Sequence, residues 1–163
     1  MMLVLRVRRS RGFSLIELLA ASVIVGLLAS VAVPFMETAL KRQKEQALRV
    51  ALRDIRNAID AYKQATVDGR IKIEDGKTGY PASLLELTDG IEDAKDPKKP
   101  RLVFLRRIPR DPFYGDNRIA AVSTWGLRSY ASSSEQPQVG DDVFDVYSMS
   151  NRTGLNGVPY KEW

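Results

Sequence analysis

The chain has 163 residues and a formal net charge of +5, with no cysteine and no histidine. That length suits one domain with a modest core. The missing residue types exclude disulfides, thiol nucleophiles, Cys or His zinc sites and imidazole catalysis, so any metal would need oxygen ligands, which points to calcium or magnesium.

The charge is concentrated at one end. Arg6, Arg8, Arg9 and Arg11 supply four of the five net positive charges, and residues 1–12 contain no acid. A nucleic-acid reader would carry its basic charge on the folded part. Here the arginines border an apolar run, the pattern of membrane topology, so a membrane partner is expected and nucleic acid is not.

From Phe13 to Met36 the sequence reads FSLIELLAASVIVGLLASVAVPFM. As a helix this run would extend about 36 Å, against a hydrocarbon core of roughly 30 Å. A simple signal peptide has a shorter apolar region with small residues after it. Here the small residue, Gly12, comes before the run. Cleavage at Gly12 would fall on the cytoplasmic side and leave the membrane helix in the mature chain. The arginines predict a cytoplasmic N-terminus and a translocated remainder.

Two residues inside the run weaken a helix. Gly26 is flexible, and Pro34 offers no N–H to the Ser30 carbonyl and clashes with that turn, so a kink or local weakening is expected. Membrane helices tolerate both residue types, which is the plainer reading. Glu17 is harder to accommodate, because a carboxylate in a membrane helix costs several kcal/mol. Cleavage after Gly12 would create a positive α-amine on Phe13. That amine, on the same chain or a neighbour, would pair with Glu17 where low dielectric strengthens the attraction. Pairing between chains would set axial register, because a mispaired subunit leaves an uncompensated charge in lipid.

These residues carry a resemblance. Arg11-Gly-Phe-Ser-Leu-Ile-Glu17 followed by an apolar helix resembles the class III leader and N-terminal helix of type IV pilins and type II secretion pseudopilins. The resemblance implies that a prepilin peptidase cuts between Gly12 and Phe13 and methylates Phe13. It makes Glu17 the assembly residue, and Gly26 and Pro34 the positions where helix is lost on packing into filaments. Residues 1–12 are then a removed leader, 13–36 a transmembrane and filament-core helix, and 37–163 a periplasmic globular domain.

Beyond Met36, Leu48, Leu52, Ile55, Ile59 and Tyr62 recur every three or four residues, with Ala51 and Ala58 beside them. That is one apolar helix face. Lys44, Glu45, Arg49, Arg53, Asp54 and Arg56 fill much of the remainder. One helix from about Phe13 to about Thr66 is expected, its second half packed on a domain. A coiled coil would need more heptads.

Asp68 to Gly79 reads as a loop. Ser83 is a candidate cap for a turn of helix over Leu84–Leu87, with Glu86 as capping-box partner. GIEDAKDPKKP (90–100) reads as a charged surface loop. Segments 101–115, Trp125–Ala131 and Val143–Met149 read as strands of one three-stranded sheet, which the helix face would cover. In the tail, Tyr160 and Trp163 are placed to pin the chain back onto that sheet.

The succession of long helix, Tyr80-Pro81 with a short helix, Asp111-Pro112-Phe113-Tyr114-Gly115 and Asp145-Val-Tyr-Ser148 resembles major pseudopilins of type II secretion. It implies an α+β fold, type IV pilin-like, with the long N-terminal helix packed on a small antiparallel sheet. The implied function is a structural subunit of the pseudopilus, a periplasmic filament that helps drive folded proteins through the outer membrane. The implied partners are copies of itself, minor pseudopilins, the prepilin peptidase, and an inner-membrane assembly platform with its ATPase. The alternative is a type IV pilin for adhesion, motility or DNA uptake. A third reading is a membrane-anchored periplasmic enzyme or binding module.

The resemblance also implies calcium after the last strand. The expected acidic positions there hold Ser150, Asn151, Arg152 and Thr153. A reduced site would use Asn151 or Asn156 with Glu162, or else Asp141 and Asp142. The alternative is that these Asn and Gly residues serve tight turns. Nothing resembles a phosphate loop or an activated serine, so no enzymatic activity is expected, and the chain itself would be the substrate at Gly12–Phe13.

Overall fold

A computed structural model of the chain describes residues 12–163, so the arginines Arg6, Arg8, Arg9 and Arg11 lie outside it. The chain divides into two units, one reaching Leu40 and one running from Lys41 to Trp163.

Helix α1 spans Leu15–Val67, 53 residues. Its first part carries an apolar window of mean hydropathy 2.4, none of it buried within the chain. An all-round apolar surface of this kind needs lipid or neighbouring helices to cover it. Its hydroxyls are satisfied inside the helix. Ser22 Oγ donates to the Leu18 carbonyl at 2.8 Å, Ser30 Oγ to Leu27 at 2.7 Å and Thr38 Oγ1 to Pro34 at 2.9 Å. That leaves none of these three hydroxyls unpaired on an apolar helix surface. Helix α1 runs through both Gly26 and Pro34 in the single chain.

The second part of α1 builds the domain core. Leu48, Ala51, Leu52, Ile55, Ala58, Ile59 and Tyr62 are buried, the face that the three-and-four spacing predicts. They share one core with Leu84, Leu87, Trp125, Val143, Val146 and Tyr160. The α+β layout, long helix first and small antiparallel sheets after it, is the one expected.

The sheet itself differs from expectation. Among the described residues there are two separate two-stranded ladders instead of one three-stranded sheet. Strand β1 (Ile91–Glu92) pairs antiparallel with β2 (Arg101–Leu102), and β3 (Trp125–Arg128) pairs antiparallel with β4 (Asp145–Ser148). The segment 90–100, expected as a loop, thus opens with a strand. Only two residues of 101–115 are strand, because the segment turns away at once: the amides of Phe104 and Leu105 donate to the Leu87 carbonyl.

The short helix α2 spans Leu85–Asp89, and no side chain caps it. Glu86 reaches back as a capping-box glutamate would, but to the amide of Ala82 at 3.2 Å, while Tyr62 Oη donates to the same oxygen at 2.9 Å. Gly90 ends the helix at φ +73°, where a Cβ would meet the Leu102 carbonyl at 3.0 Å and Val103 Cγ2 at 2.9 Å. A left-handed backbone and a close neighbour both call for glycine there.

Candidate functional site

The N-terminal site is built by the start of α1. Gly12, Phe13 and Ser14 precede the helix in an irregular, exposed segment. The Ser14 carbonyl accepts from the amides of Glu17 and Leu18, each at 3.1 Å. Ser14 and Glu17 stand at capping-box spacing, an S-x-x-E pattern that the reading from sequence did not single out. Glu17 lies in the first turn, where the helix macrodipole favours an anion.

Glu17 is exposed, and among the described residues it has no ion-pair partner. Phe13 is 75% exposed. A Cβ placed on Gly12 or on Gly26 would meet nothing within 4 Å. Among the described residues, packing therefore gives no reason for either glycine.

The second candidate is the segment after β4. Asn156 and Glu162 line one groove with Val158, Trp163 and three arginines of α1, Arg49, Arg53 and Arg56, and Asn151 is not part of that lining. Asn156 Oδ1 already accepts from the Val158 amide at 3.1 Å. One carboxylate and one occupied amide oxygen beside three guanidiniums fit a hard dication poorly. The other pair is split: Asp142 accepts from the Tyr130 amide at 2.9 Å and from Thr78 Oγ1, whereas Asp141 is exposed. Among the described residues no three Asp or Glu side chains converge.

Three charged residues matter here whose roles the sequence reading did not assign. Glu45, placed among the surface charges, is 5% exposed. It sits three positions before Leu48, on the apolar stripe, and that position was the available signal. Its Oε1 accepts from the Leu155 amide at 2.8 Å and from Tyr160 Oη at 2.9 Å. Burial, reinforced by the Glu45 carboxylate, pushes the Tyr160 phenol up to about 12. Arg56 donates to Asp145 Oδ1 at 2.7 Å, to the Val146 carbonyl at 3.1 Å and to the Trp163 carbonyl at 2.8 Å. Asp111 is buried and accepts from Ser148 Oγ at 2.5 Å and from the Phe113 amide at 2.7 Å. This explains why Asp111-Pro112-Phe113 and Asp145–Ser148 occur together: the first segment braces the end of the second.

An open cleft of about 710 Å³ lies on the domain, lined in part by Tyr62, Thr78, Tyr80, Glu86, Asp93 and Asp142. Several of its polar groups are tied to the protein. Tyr62 donates to Glu86, Thr78 to Asp142, and Arg70 to Asp93 Oδ2 at 2.6 Å.

Comparison with known proteins bears on the N-terminal site first. Residues 7–33 match the family model described as the prokaryotic N-terminal methylation motif. The chain is 28% identical over 162 residues to type II secretion system core protein G of Dickeya chrysanthemi, covering 92% of this chain and 96% of that protein. It is 26% identical over 145 residues to the protein of the same name from Klebsiella michiganensis, covering 85% and 94%. No solved structure matches significantly. The motif spans Gly12, Phe13, Glu17 and Gly26, and the similarity extends through the domain.

Proposed function

We infer that the chain is a type II secretion pseudopilin, a structural subunit of the pseudopilus. The observation that carries this reading is Glu17, the single ionisable residue between Phe13 and Met36, standing at the exposed start of an apolar helix within a methylation motif. Near-full-length similarity to core protein G favours the pseudopilin over an adhesion, motility or DNA-uptake pilin.

In this reading residues 1–12 are a leader. A prepilin peptidase cuts between Gly12 and Phe13 and methylates the new N-terminus. Residues 13–36 sit in the inner membrane with the N-terminus cytoplasmic, and 37–163 face the periplasm. The exposed apolar surface of α1 and Glu17, which has no ion-pair partner among the described residues, support assembly with other copies, since both call for partners. The Phe13 amine of a neighbouring copy is the compensating cation, and burying that pair fixes axial register. Gly26 and Pro34 mark where α1 gives way in the filament. Minor pseudopilins, the inner-membrane platform and its ATPase complete the partner set. The role is mechanical, and the only covalent chemistry is performed on this chain.

Mass spectrometry of the full chain co-expressed with a prepilin peptidase tests the processing. The expected product starts at N-methylated Phe13; an uncut chain, or a cut elsewhere, overturns the reading. Deleting the gene separates the two filament types. Loss of protein secretion is expected, whereas intact secretion with loss of long surface filaments would make this a type IV pilin.

A further inference from the structure

The segment from Met149 to Trp163 has little regular structure of its own, with one isolated bridge, Thr153 to Pro159, and one short 3-10 turn, Tyr160–Glu162. Something else must hold it against the domain. The resemblance drawn from the sequence assigns that task to calcium.

Two side chains of α1 reach it directly. Glu45 holds the middle of the segment, taking the Leu155 amide and the Tyr160 hydroxyl on one carboxylate oxygen. Arg56 holds its root and its end, through Asp145, the Val146 carbonyl and the Trp163 carbonyl. Glu45 and Arg56 are eleven positions apart in α1, which is about three helical turns, so both leave the same side of the helix. Between them, the Phe113 ring stacks on Tyr160 at 4.1 Å and the Arg49 guanidinium lies 4.5 Å from the Trp163 ring centre.

Two carboxylates beside the segment are already committed. Asp145 is paired with Arg56 at 2.7 Å and Arg128 at 3.2 Å. Asp111 is taken by Ser148 and the Phe113 amide. Glu162 shares its groove with Arg49, Arg53 and Arg56. A dication here would have to displace guanidiniums or sit among them, and both raise its cost.

We propose that Glu45 and Arg56 form a two-point clasp from α1 that replaces a metal in closing the C-terminal segment, so this subunit folds and holds that segment independently of calcium. The clasp does not depend on which filament the subunit enters.

The test uses the full chain in detergent micelles, with thermal unfolding and amide hydrogen exchange measured in calcium chloride and in EGTA. The expected result is the same Tm and the same exchange over 149–163 in both. A calcium site of extracellular affinity, supplied with calcium at about 100 times its Kd, would raise Tm by several degrees; such a rise, or slower exchange of 149–163 in calcium, overturns the proposal. Glu45→Ala should speed exchange of the Leu155 and Tyr160 amides while those of β3 and β4 stay protected, and calcium should not restore the slow exchange. Should that variant fail to fold, Tyr160→Phe removes one donor to Glu45 and reads the same segment. Unchanged exchange over 149–163 in Tyr160→Phe would remove Glu45 from the clasp and sink the proposal as stated.

Discussion

Tyr160 Oη donates to Glu45 Oε1 at 2.9 Å although the two residues stand 115 positions apart in sequence. The contact joins the tail of the chain to the helix that opens the domain, inside a core that excludes water from both. It has a consequence for alkaline stability. The ordinary tyrosine value is 10.0, and in the folded chain Tyr160 is pushed up to about 12. A value higher in the folded state means the phenol keeps its proton longer when folded. Its contribution is therefore complete below pH about 10 and is lost as pH rises towards 12. Denaturant midpoints measured from pH 8 to 12 should fall across that window, and Tyr160→Phe should flatten the fall. At neutral pH the same variant should lose about 1.5–3 kcal/mol, the usual worth of a hydrogen bond to a charged group.

Acid titration probes a different pair. Arg70 beside Asp93 holds its carboxyl below the ordinary 3.8. A lowered folded value means that protonation favours the unfolded chain. The stabilisation is present above pH about 4 and disappears as pH drops further. Asp93→Asn should flatten the dependence of stability on pH in the acid range. An unchanged acid profile in that variant would show that other carboxylates set it.

Within α1, burial separates neighbours of similar chemistry. Ile59 is fully buried, and Val50 is 46% exposed. Ile59→Ala should cost about 2–5 kcal/mol by transfer and cavity terms together, while Val50→Ala should stay within about 0.5 kcal/mol. Calorimetry of the two variants gives the comparison directly.

Gly90 carries a backbone requirement. Its φ is +73°, and the Leu102 carbonyl lies 3.0 Å from the place an alanine methyl would occupy. Gly90→Ala should therefore lose at least about 1 kcal/mol. The loss should appear as faster amide exchange in α2 and β1, the elements that meet there.

For assembly, Glu17→Ala should leave the cut after Gly12 intact and weaken or abolish filaments. The carboxylate is exposed at the helix start, so its loss should not disturb the domain, and an unchanged Tm should accompany the assembly defect. Normal filaments from this variant would remove the register argument.

How much of this was legible in the sequence varies along the chain. The apolar run, the Gly12-Phe13 step and Glu17 are local signals whose meaning depends on residue type and order alone. The core face of α1 was legible because helical geometry converts spacing into direction. The strands were poorly legible. Segments of two to four residues leave no room for alternation to declare itself, and the partner of each strand is set by where the chain returns.

The sequence by itself determined a membrane-type helix with one misplaced charge and an amphipathic continuation, because periodicity and chemical type act within a few residues. Only the tertiary structure decided that Glu45 is buried, that Arg56 reaches both Asp145 and Trp163, and that Asp111 braces Ser148. Each of those roles is conferred by partners 37 to 115 positions away. A charged side chain carries the same letter in the sequence whether water or the protein satisfies it.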